Sequence, residues 1–491
     1  MSGEPIGRRR ALGLIGLGTA AVAAGTTGWA AGVGSSTSRV LQPGAVGAEL
    51  AAHPVLSSSA GLLDITLTAA PGVTLAGRRT AALGYNGTSP GPVLRVRPGD
   101  LLRVKLVNRL DQPTNLHTHG LHVSPAGNSD NPFITVDPGA SFDYAIQIPA
   151  DHRPGTYWYH PHHHEHVADQ VFGGLSGALI VDGQQSPVSD IERTIMITDT
   201  TVDSSGYVAA ADPMAKMMGR EGEWVLVNGQ LQPTIASVPG TSERWRIVNA
   251  CVSRVLALTL EAHQLTQIAV DGGSLPRARS LNRIVLAPGN RADVIVRPTS
   301  QGNYRLIAEP YDRGSAGMMG SMGTSFAGAR PRVLATLAVS GPTRPTSGLS
   351  LLLSNTPLPA GRAVRTRHLT FATGMGMGGM AFTIDGRRFD PGRVDQAARL
   401  GTTEEWVVTN TSSMDHPFHL HVWPFEVVGD SAGTPASGAV QDVVLVPARG
   451  WVRLRVHFGD YAGQTVYHCH ILDHEDAGMM GHHRRQRLAS Q

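Results

Sequence analysis

The chain has 491 residues and a formal net charge of +3, from 41 Lys and Arg against 38 Asp and Glu. This length is too great for one ordinary domain and suggests about three of roughly 150 residues each, and the small charge argues against nucleic acid as a partner. The 58 glycines and 32 prolines favour many short strands and turns over long helices.

The first element in chain order is a predicted targeting segment at residues 1–31, which is not part of the fold. Arg8, Arg9 and Arg10 precede a Gly-, Ala- and Thr-rich stretch that is too mildly apolar to predict a membrane span. Paired arginines in this position are typical of a twin-arginine export signal, so we expect the twin-arginine export machinery as a partner and a periplasmic, cell-envelope or extracellular location. An uncleaved amino-terminal anchor is the alternative, and residues 32–50 are interpreted as a linker.

One pattern of strands occurs three times in the rest of the chain. In each copy an alternating strand ends in asparagine, at Asn108, Asn249 and Asn410. A later short strand in each copy runs from a glycine to a residue five positions on: Gly155 to His160, Gly302 to Ile307 and Gly463 to His468. Period-2 alternation and β-branched content predict strands here. The repeat therefore predicts an all-β protein of three consecutive Greek-key β-sandwich domains.

Four clusters of histidine follow along the chain. The first three contain His-x-His pairs at 117/119, 160/162 and 419/421, and the fourth is the segment HCHILDHEDAGMM that begins at His468. Residues i and i+2 of a strand share a face, so the two imidazoles of each pair project together. His163, His164 and His166 follow the second pair, which leaves 162/164 as an alternative register. The spacing from Gly155 favours 160/162, and the additional histidines are expected to lie beside ligands or face solvent.

The fourth cluster is predicted to connect two metal sites on opposite faces of one strand. Cys469 points to one face, and His468 and His470 point to the other. A His₂Cys set with a long axial methionine is typical of a blue electron-transfer copper. The residues that supply this set are His416, Cys469, His474 and Met479. His468 and His470 complete four His-x-His pairs, whose imidazoles are enough for three further coppers.

Together these motifs resemble the multicopper oxidases, specifically the bacterial three-domain, laccase-like members, over nearly all of the chain after residue 50. The resemblance implies cupredoxin-like domains and four copper ions: one of type 1, one of type 2 and two of type 3. It assigns the type 1 copper to His416, Cys469 and His474, with Met479 axial. It assigns the type 2 copper to His117 and His419, and the type 3 pair to His119, His160, His162, His421, His468 and His470.

The resemblance also implies the reaction and the residues that assist it. Electrons pass one at a time from a reductant through Cys469 to dioxygen, which leaves as water. The expected reductant is a small phenol, an aromatic amine or a metal ion. Glu475 matches a family acid near the three-copper site and is predicted to supply protons. Asp130 is a further candidate for this role, and a simple turn residue is the alternative for it.

The expected domains are 51–185, 186–345 and 346–491, with boundaries in stretches rich in Ser, Pro and Gly. The first and third copies of the repeat carry histidine where the second carries Ile307. The middle domain is therefore predicted to be a spacer without copper. Cys251 is predicted to be a buried free thiol. His53, His482 and His483 lie near the ends of the chain, where disorder is expected.

Nine of the 14 methionines lie in three polar or Gly-rich stretches. Their positions are 214, 217 and 218, then 318, 319 and 322, then 375, 377 and 380. Thioethers favour Cu(I), so these stretches are hypothesised to bind cuprous ion near the type 1 site. This makes a cuprous oxidase for copper detoxification the alternative main function, and flexible, unpacked loops are the competing interpretation.

Two other classes of protein are alternatives. A copper-free binding relative would share the fold, but retention of the full ligand set argues against it. A copper nitrite reductase needs one type 1 site and one three-histidine site, which leaves the His-Cys-His doubling and the additional His-x-His pairs unexplained.

Overall fold

The computed structural model describes residues 40–183, 189–314, 330–345, 353, 355–359, 361–376, 379–434 and 437–486. The predicted export signal and the expected boundary near residue 185 lie outside these ranges, and the boundary near 345 lies at the end of one of them. The described residues from Leu41 onward belong to one compact unit.

Eleven strands form the described part of the first domain. They are β1 (Val55–Ser57), β2 (Leu62–Pro71), β3 (Thr74–Leu75), β4 (Arg78–Arg79), β5 (Leu83–Tyr85), β6 (Val93–Val96), β7 (Leu101–Asn108), β8 (His117–His119), β9 (Ser141–Gln147), β10 (Gly155–His160) and β11 (Gly177–Val181). Helix α1 (Val167–Gly173) lies between β10 and β11 in sequence.

Eleven strands also form the described part of the middle domain. They are β12 (Ile191–Thr200), β13 (Trp224–Val227), β14 (Thr234–Ser237), β15 (Glu243–Asn249), β16 (Leu256–Leu260), β17 (Leu265–Val270), β18 (Gly273–Leu281), β19 (Ile284–Leu286), β20 (Arg291–Val296), β21 (Gly302–Glu309) and β22 (Arg332–Val339). Helix α2 (Pro213–Met218) lies between β12 and β13 in sequence.

Eleven strands also form the described part of the third domain. Its strands are β23 (Arg365–Gly376), β24 (Gly379–Ile384), β25 (Gln396–Arg399), β26 (Thr402–Asn410), β27 (His416–Leu420), β28 (Phe425–Asp430), β29 (Val440–Gln441), β30 (Val443–Val446), β31 (Trp451–Phe458), β32 (Gly463–Cys469) and β33 (Met480–Gln486). Helix α3 (Leu472–Asp476) lies between β32 and β33 in sequence.

Each domain contains two main sheets. The orders are β1-β6-β11-β10-β8 and β5-β2-β7-β9 in the first domain, β13-β12-β15-β20-β17-β18 and β14-β22-β21-β16-β19 in the middle domain, and β24-β23-β26-β31-β28-β29 and β25-β33-β32-β27-β30 in the third. The middle and third domains have the same topology, because each strand number in one order differs from its counterpart by eleven. The predicted all-β protein of three β-sandwich domains is confirmed.

The alternation of apolar and polar residues that predicts the strands also places apolar side chains in the cores. In β7, Leu102, Val104 and Leu106 are fully buried, whereas Arg103 and Lys105 between them are exposed. Successive side chains of a strand point to opposite faces, so one face packs inward while the other meets solvent. Separate clusters of buried apolar side chains fill the three domains.

The three strand-end asparagines make the same set of hydrogen bonds. Each side-chain carbonyl accepts from the backbone N–H two residues on, at 2.9 Å for Asn108, 3.1 Å for Asn249 and 3.0 Å for Asn410. Each side-chain amide donates to at least two backbone carbonyls of nearby turns. An asparagine therefore stabilises the same kind of turn in each of the three domains. This shared contact explains why every copy of the repeat has asparagine at this position.

Residues 41–50, interpreted as a linker, lie along the middle domain. The N–H of Leu41 donates to the carbonyl of Val202, and the N–H of Leu50 donates to that of Thr234, both at 2.8 Å. None of the described helices is long and apolar enough to cross a membrane.

Candidate metal centre

Two antiparallel strand pairs present histidine side chains to each other. His117 lies opposite His160 between β8 and β10, and His419 lies opposite His468 between β27 and β32. Directly opposite residues of a strand pair project on the same face of the sheet. Each pair of strands therefore offers a group of histidines on one face.

The corresponding strands of the middle domain carry no histidine in this register. Between β16 and β21, Thr259 lies opposite Ile307. Every described group of three or more clustered metal-ligating side chains comes from the first and third domains. The absence of copper from the middle domain stays a prediction.

Eight histidines from the first and third domains meet in one buried group, the histidine cluster. None of them is more than 2% exposed, and the members are His117, His119, His160, His162, His419, His421, His468 and His470. His117 stacks on His421, and His119 stacks on His419, each pair with ring centroids 3.9 Å apart. The cluster thus joins the two domains through contacts between their His-x-His pairs.

Three imidazoles of this cluster face a common centre. The Nε2 atoms of His162, His421 and His468 lie 3.1 Å from one another. His468 uses its Nδ1 to donate to the carbonyl of Cys469, at 3.0 Å, so its Nε2 carries a lone pair. Nitrogen atoms that converge in this way are the donor set of a transition-metal ion.

Four of the five remaining cluster histidines have one ring nitrogen in a polar contact and one without a hydrogen bond, and His470 is the exception. His117 Nδ1 lies 3.0 Å from Asp130 Oδ1, and His119 Nε2 lies 3.0 Å from Asp442 Oδ1. Their other nitrogens, His117 Nε2 and His119 Nδ1, are buried without a partner, as are both ring nitrogens of His470. Metal-binding histidines use one nitrogen for the ion and fix the ring through the other, so the residues present fit metal ions.

A second group, the cysteine site, lies in the third domain. His416 Nδ1 lies 3.4 Å from Cys469 Sγ and 3.4 Å from His474 Nδ1, and all three side chains are fully buried. Met479 is fully buried in the same apolar cluster as Cys469. The outer nitrogens of the two imidazoles are fixed by Ser412 Oγ and by the carbonyl of Met217. Thiolate, imidazole and thioether together suit copper in both oxidation states.

Burial sets the protonation of both groups. It lowers the pKa of His416 to about 3 and that of His160 to about 3, so both imidazoles are neutral near pH 7, as metal ligands must be. Burial raises the pKa of the Cys469 thiol, so its apolar surroundings favour the protonated form. A bound cation would favour the thiolate.

One strand connects the two groups. β32 ends at Cys469, whose side chain packs in the apolar core of the third domain. His468 and His470, its neighbours in sequence, belong to the histidine cluster. The alternation of side chains along this strand therefore places the cysteine site and the histidine cluster on opposite faces of the same backbone.

Besides Asp442, two further buried carboxylates contact the histidine cluster. Glu475 Oε2 lies 3.0 Å from His468 Nδ1, and its Oε1 lies 3.3 Å from His162 Nε2. Burial raises the pKa of Glu475, but His468 and His162 outweigh burial and hold it well below its usual range. Burial raises the pKa of Asp130 to about 7, although the N–H of Thr118 donates to it.

A partly open cavity of about 370 Å³ lies beside the histidine cluster. Gly120, His122 and Asp442 are among the residues that line it. Because Asp442 also contacts His119, this cavity connects the protein surface with the wall of the cluster.

Comparison with known proteins agrees with this geometry. Three family models, each described as multicopper oxidase, match residues 68–186, 158–326 and 363–486. Multicopper oxidase mco of Staphylococcus haemolyticus is 30% identical over 414 residues, which cover 81% of this chain and 83% of that protein. The chain belongs to the multicopper oxidase family.

Further relatives of this multicopper oxidase carry several names. The laccase of Bacillus subtilis is 28% identical over 470 residues, covering 82% of this chain and 89% of that protein. Cell division protein FtsP of Edwardsiella tarda is 29% identical over 472 residues, covering 90% and 94%. The solved structure of the multicopper oxidase from Campylobacter jejuni, described as a metallo-oxidase, has a TM-score of 0.81 at 30% identity and covers 92% of this chain and 98% of its own.

These findings confirm the predicted cupredoxin-like fold and the class of reaction. The protein is a copper-binding oxidoreductase that uses dioxygen as its acceptor and a reductant as its second substrate. In this enzyme the histidine cluster gathers imidazole donors, and the cysteine site gathers imidazole donors and one thiolate donor.

In this multicopper oxidase the alternative register of the second His-x-His pair is disfavoured by geometry. His160 and His162 lie in the histidine cluster, whereas the ring of His164 packs edge-on against Phe389, 4.9 Å away. His163 Nε2 contacts Thr135 Oγ1 at the surface.

One expectation from the sequence needs correction, another is confirmed, and one contact needs addition. His482 and His483 are buried in β33, which pairs with β32, so the expectation of disorder for them is wrong. Cys251 is a buried free thiol, as predicted. Asp442, which contacts His119 across 323 positions of sequence, is not predicted by any motif around it.

The methionine stretches are more ordered than loops where they are described. Met217 and Met218 lie on helix α2, and Met380 lies on β24. All three are half-buried and pack against the apolar cluster that contains Cys469. The interpretation as flexible, unpacked loops is therefore wrong for these residues, and the stretch at 318–322 lies outside the described residues.

Proposed function

We propose that this multicopper oxidase holds four copper ions and couples one-electron oxidation of a phenol, an aromatic amine or Cu(I) to reduction of dioxygen to water. The residues that would hold the type 1 copper are His416, Cys469, His474 and Met479, and those that would hold the type 2 copper are His117 and His419. The type 3 pair is held by His119, His160, His162, His421, His468 and His470. The observation that carries this proposal is the set of buried ring nitrogens without partners in the histidine cluster beside a buried cysteine.

Bound copper supplies one-electron transfer and, in the three-copper group, the electrons that reduction of dioxygen requires. The protein supplies a short connection between the two groups. His468, Cys469 and His470 are consecutive, so covalent bonds alone join the cysteine site to two histidines of the cluster. The apolar core around Cys469 keeps water from its sulfur.

Glu475 and Asp130 are the residues proposed to move protons. Each is buried and within 3.0 Å of a cluster histidine, at His468 Nδ1 and His117 Nδ1 respectively. Reduction of dioxygen to water consumes protons inside a site that solvent does not reach directly. A carboxyl group in hydrogen-bond reach of the cluster can deliver them.

Replacement of Cys469 tests whether the cysteine site and the histidine cluster have different functions. In Cys469→Ser we expect loss of the blue absorption band and of turnover with phenols, while the histidine cluster still binds about three copper ions per chain. Cys251→Ala is the matched control, because Cys251 is equally buried but lies in the core of the middle domain. Full turnover in Cys469→Ser would contradict the proposal.

Cuprous ion is the second candidate substrate, and the position of the methionines favours it. Helix α2 lies against the cysteine site, where His474 Nε2 donates to the carbonyl of Met217 at 3.1 Å. Met217, Met218 and Met380 pack against the apolar cluster that contains Cys469. Thioether sulfur is a soft ligand that selects Cu(I).

Leucine replacements separate this candidate from phenol oxidation. The triple variant Met217→Leu, Met218→Leu, Met380→Leu keeps side-chain volume but removes the thioethers. We expect kcat/KM for Cu(I) to fall about tenfold or more and kcat/KM for a phenol to change little. Met196→Leu, a buried position in another cluster, is the control. Equal losses for the two substrates would refute a cuprous site.

Export is also proposed for this enzyme. Arg8, Arg9 and Arg10 before a mildly apolar segment support a twin-arginine route, which carries folded proteins. The expected location is the periplasm, the cell envelope or the exterior. Replacement of all three arginines by lysine should retain the protein in the cytoplasm, as measured by fractionation.

A further inference from the structure

A buried chain of polar contacts runs from the middle domain to the histidine cluster. Arg291 donates from Nη1 and Nη2 to the two carboxylate oxygens of Asp442, both at 2.6 Å. Asp442 Oδ1 in turn lies 3.0 Å from His119 Nε2. Arg291 and His119 are fully buried and Asp442 is nearly so. Arg291 belongs to the middle domain, Asp442 to the third and His119 to the first.

Arg291 is held in place from every side. Its Nε donates to the carbonyl of Thr156 and its Nη1 to that of Gly289, both at 3.0 Å. Asp271 accepts from the backbone N–H groups of Arg291 and Asp442, at 2.9 and 3.1 Å. The bidentate geometry with Asp442 is the strong, directional form of an arginine–carboxylate contact.

The residue after His119 leaves room for this contact. Gly120 has φ of +86°, and a Cβ built on it would collide with Arg291 Nη2 and lie 2.7 Å from Asp442 Oδ2. Only glycine therefore allows the guanidinium and the carboxylate to meet beside the ligand strand β8.

The middle copy of the repeat uses this position differently from the other two. Arg291 begins β20 and pairs with Val248, which precedes Asn249. Ser141 and Trp451 begin β9 and β31 in the same register, before Asn108 and Asn410. Ser141 is exposed and Trp451 is half-buried. Only the middle copy points a charged side chain from this position into a domain junction.

We infer that Arg291, from the domain without copper ligands, is a positioning residue for the copper ligand His119. By fixing the Asp442 carboxylate, Arg291 makes it accept the Nε2 proton of His119. The lone pair of His119 is then on Nδ1, which is the buried ring nitrogen without a partner. This inference rests on the proposed four-copper site, because it concerns the tautomer and orientation in which His119 binds an ion.

Copper affinity tests this role in the holoenzyme. In Arg291→Gln we expect the blue type 1 band to remain and the copper affinity of the histidine cluster to fall about 10- to 100-fold, the usual effect of losing a residue that orients a metal ligand. Affinity is measured by competition with a copper chelator, and the type 2 and type 3 signals by EPR and absorption. Arg291→Lys keeps the positive charge but lacks the two parallel N–H donors of the guanidinium, so we expect an intermediate loss of copper affinity.

Arg246→Gln is the matched control. Arg246 is also a buried arginine of the middle domain that reaches the first domain, since its Nη1 donates to Thr156 Oγ1 at 3.0 Å, but its carboxylate partners are Asp293 and Glu192. We expect Arg246→Gln to keep wild-type copper affinity in the cluster. An equal loss in this control would mean that only the domain junction matters and would overturn the inference.

A double-mutant cycle with Asp442 provides the second test. Asp442→Asn should weaken copper binding to the same extent as Arg291→Gln, and the double variant should be no weaker than either single variant. If the losses of copper affinity in the two single variants multiplied in the double variant, the inference would be overturned. Wild-type protein without a three-copper signal would instead overturn the proposed function, so the two failures are distinguishable.

Discussion

Glu475 combines complete burial with contacts to two histidines of the cluster, His162 and His468. A carboxylate in this position has no solvent to exchange protons with directly, so its partners determine what it can do. The neighbouring Asp476 has a different environment, because its carboxylate accepts from the N–H groups of Val167 and Ala168 at the start of α1. Two adjacent acids of the same helix therefore have separate roles.

This difference gives a prediction at the scale of one residue. In Glu475→Gln, reoxidation of the fully reduced enzyme by dioxygen should slow about 100-fold, because a positioned acid contributes roughly 10²–10⁴ to rate. Stopped-flow absorption after mixing with dioxygen measures the rate across pH. Asp476→Asn should reoxidise nearly as fast as wild type. A wild-type rate in Glu475→Gln at every pH would exclude the proton-supply role.

The strand-end asparagines matter at the scale of the element, because each one ties a strand to the turn that follows it. Asn249 donates from Nδ2 to the carbonyls of Arg254 and Leu286, both at 2.9 Å, and it is fully buried. Its replacement would leave buried acceptors without donors, which costs about 1–3 kcal/mol.

Asn249→Ala should accordingly lower the thermal unfolding midpoint of the metal-free protein. Differential scanning calorimetry measures the shift, and the exposed Asn303 of β21 supplies the control Asn303→Ala. The account of the repeated turn would be wrong if both variants unfolded at the wild-type temperature.

Strand patterns made much of the fold and of the candidate site predictable. The repeated asparagines and the glycines five residues before His160, Ile307 and His468 marked strands that the structure contains as β7, β15, β26, β10, β21 and β32. The His-x-His spacing predicted shared faces, because alternation in a strand is a local property. Local patterns of this kind need no knowledge of distant neighbours.

Contacts between distant segments were not predictable from such patterns. Arg291 and Asp442 meet across 151 positions, and neither lies in a histidine motif. His483 was expected to be disordered near the chain end, yet its ring lies 5.5 Å from Trp406 and 5.4 Å from Phe458 because β33 pairs with β32. Tertiary pairing overrode the expectation from position in the sequence.

At the scale of the whole molecule, a second buried arginine of the middle domain joins all three domains. Arg220 Nη2 contacts Asp473 Oδ1 at 2.6 Å, and its Nη1 contacts Asp169 Oδ1 at 2.5 Å. Asp473 precedes His474 on helix α3, and Asp169 lies on helix α1. The middle domain thus supports the cysteine site as well as the histidine cluster.

Loss of this arginine should be costly. Arg220→Met leaves the buried Asp473 without its cation, which should destabilise the protein by about 3–5 kcal/mol and lower its unfolding midpoint. Arg305→Met removes an exposed ion pair with Glu261 and should leave the unfolding midpoint almost unchanged, because solvent screens exposed charges. Comparable midpoints in a thermal scan of the two variants would contradict the role of Arg220 as a domain connection.

Copper content, visible absorption and EPR spectra of the purified, copper-loaded wild-type protein distinguish the proposed four-copper site from its alternatives. We expect about four copper ions per chain, an intense blue thiolate band, one type 2 EPR signal and an EPR-silent pair. One blue copper plus a single type 2 copper would instead indicate a nitrite-reductase-like site, and a protein that takes up no copper would exclude the four-copper site.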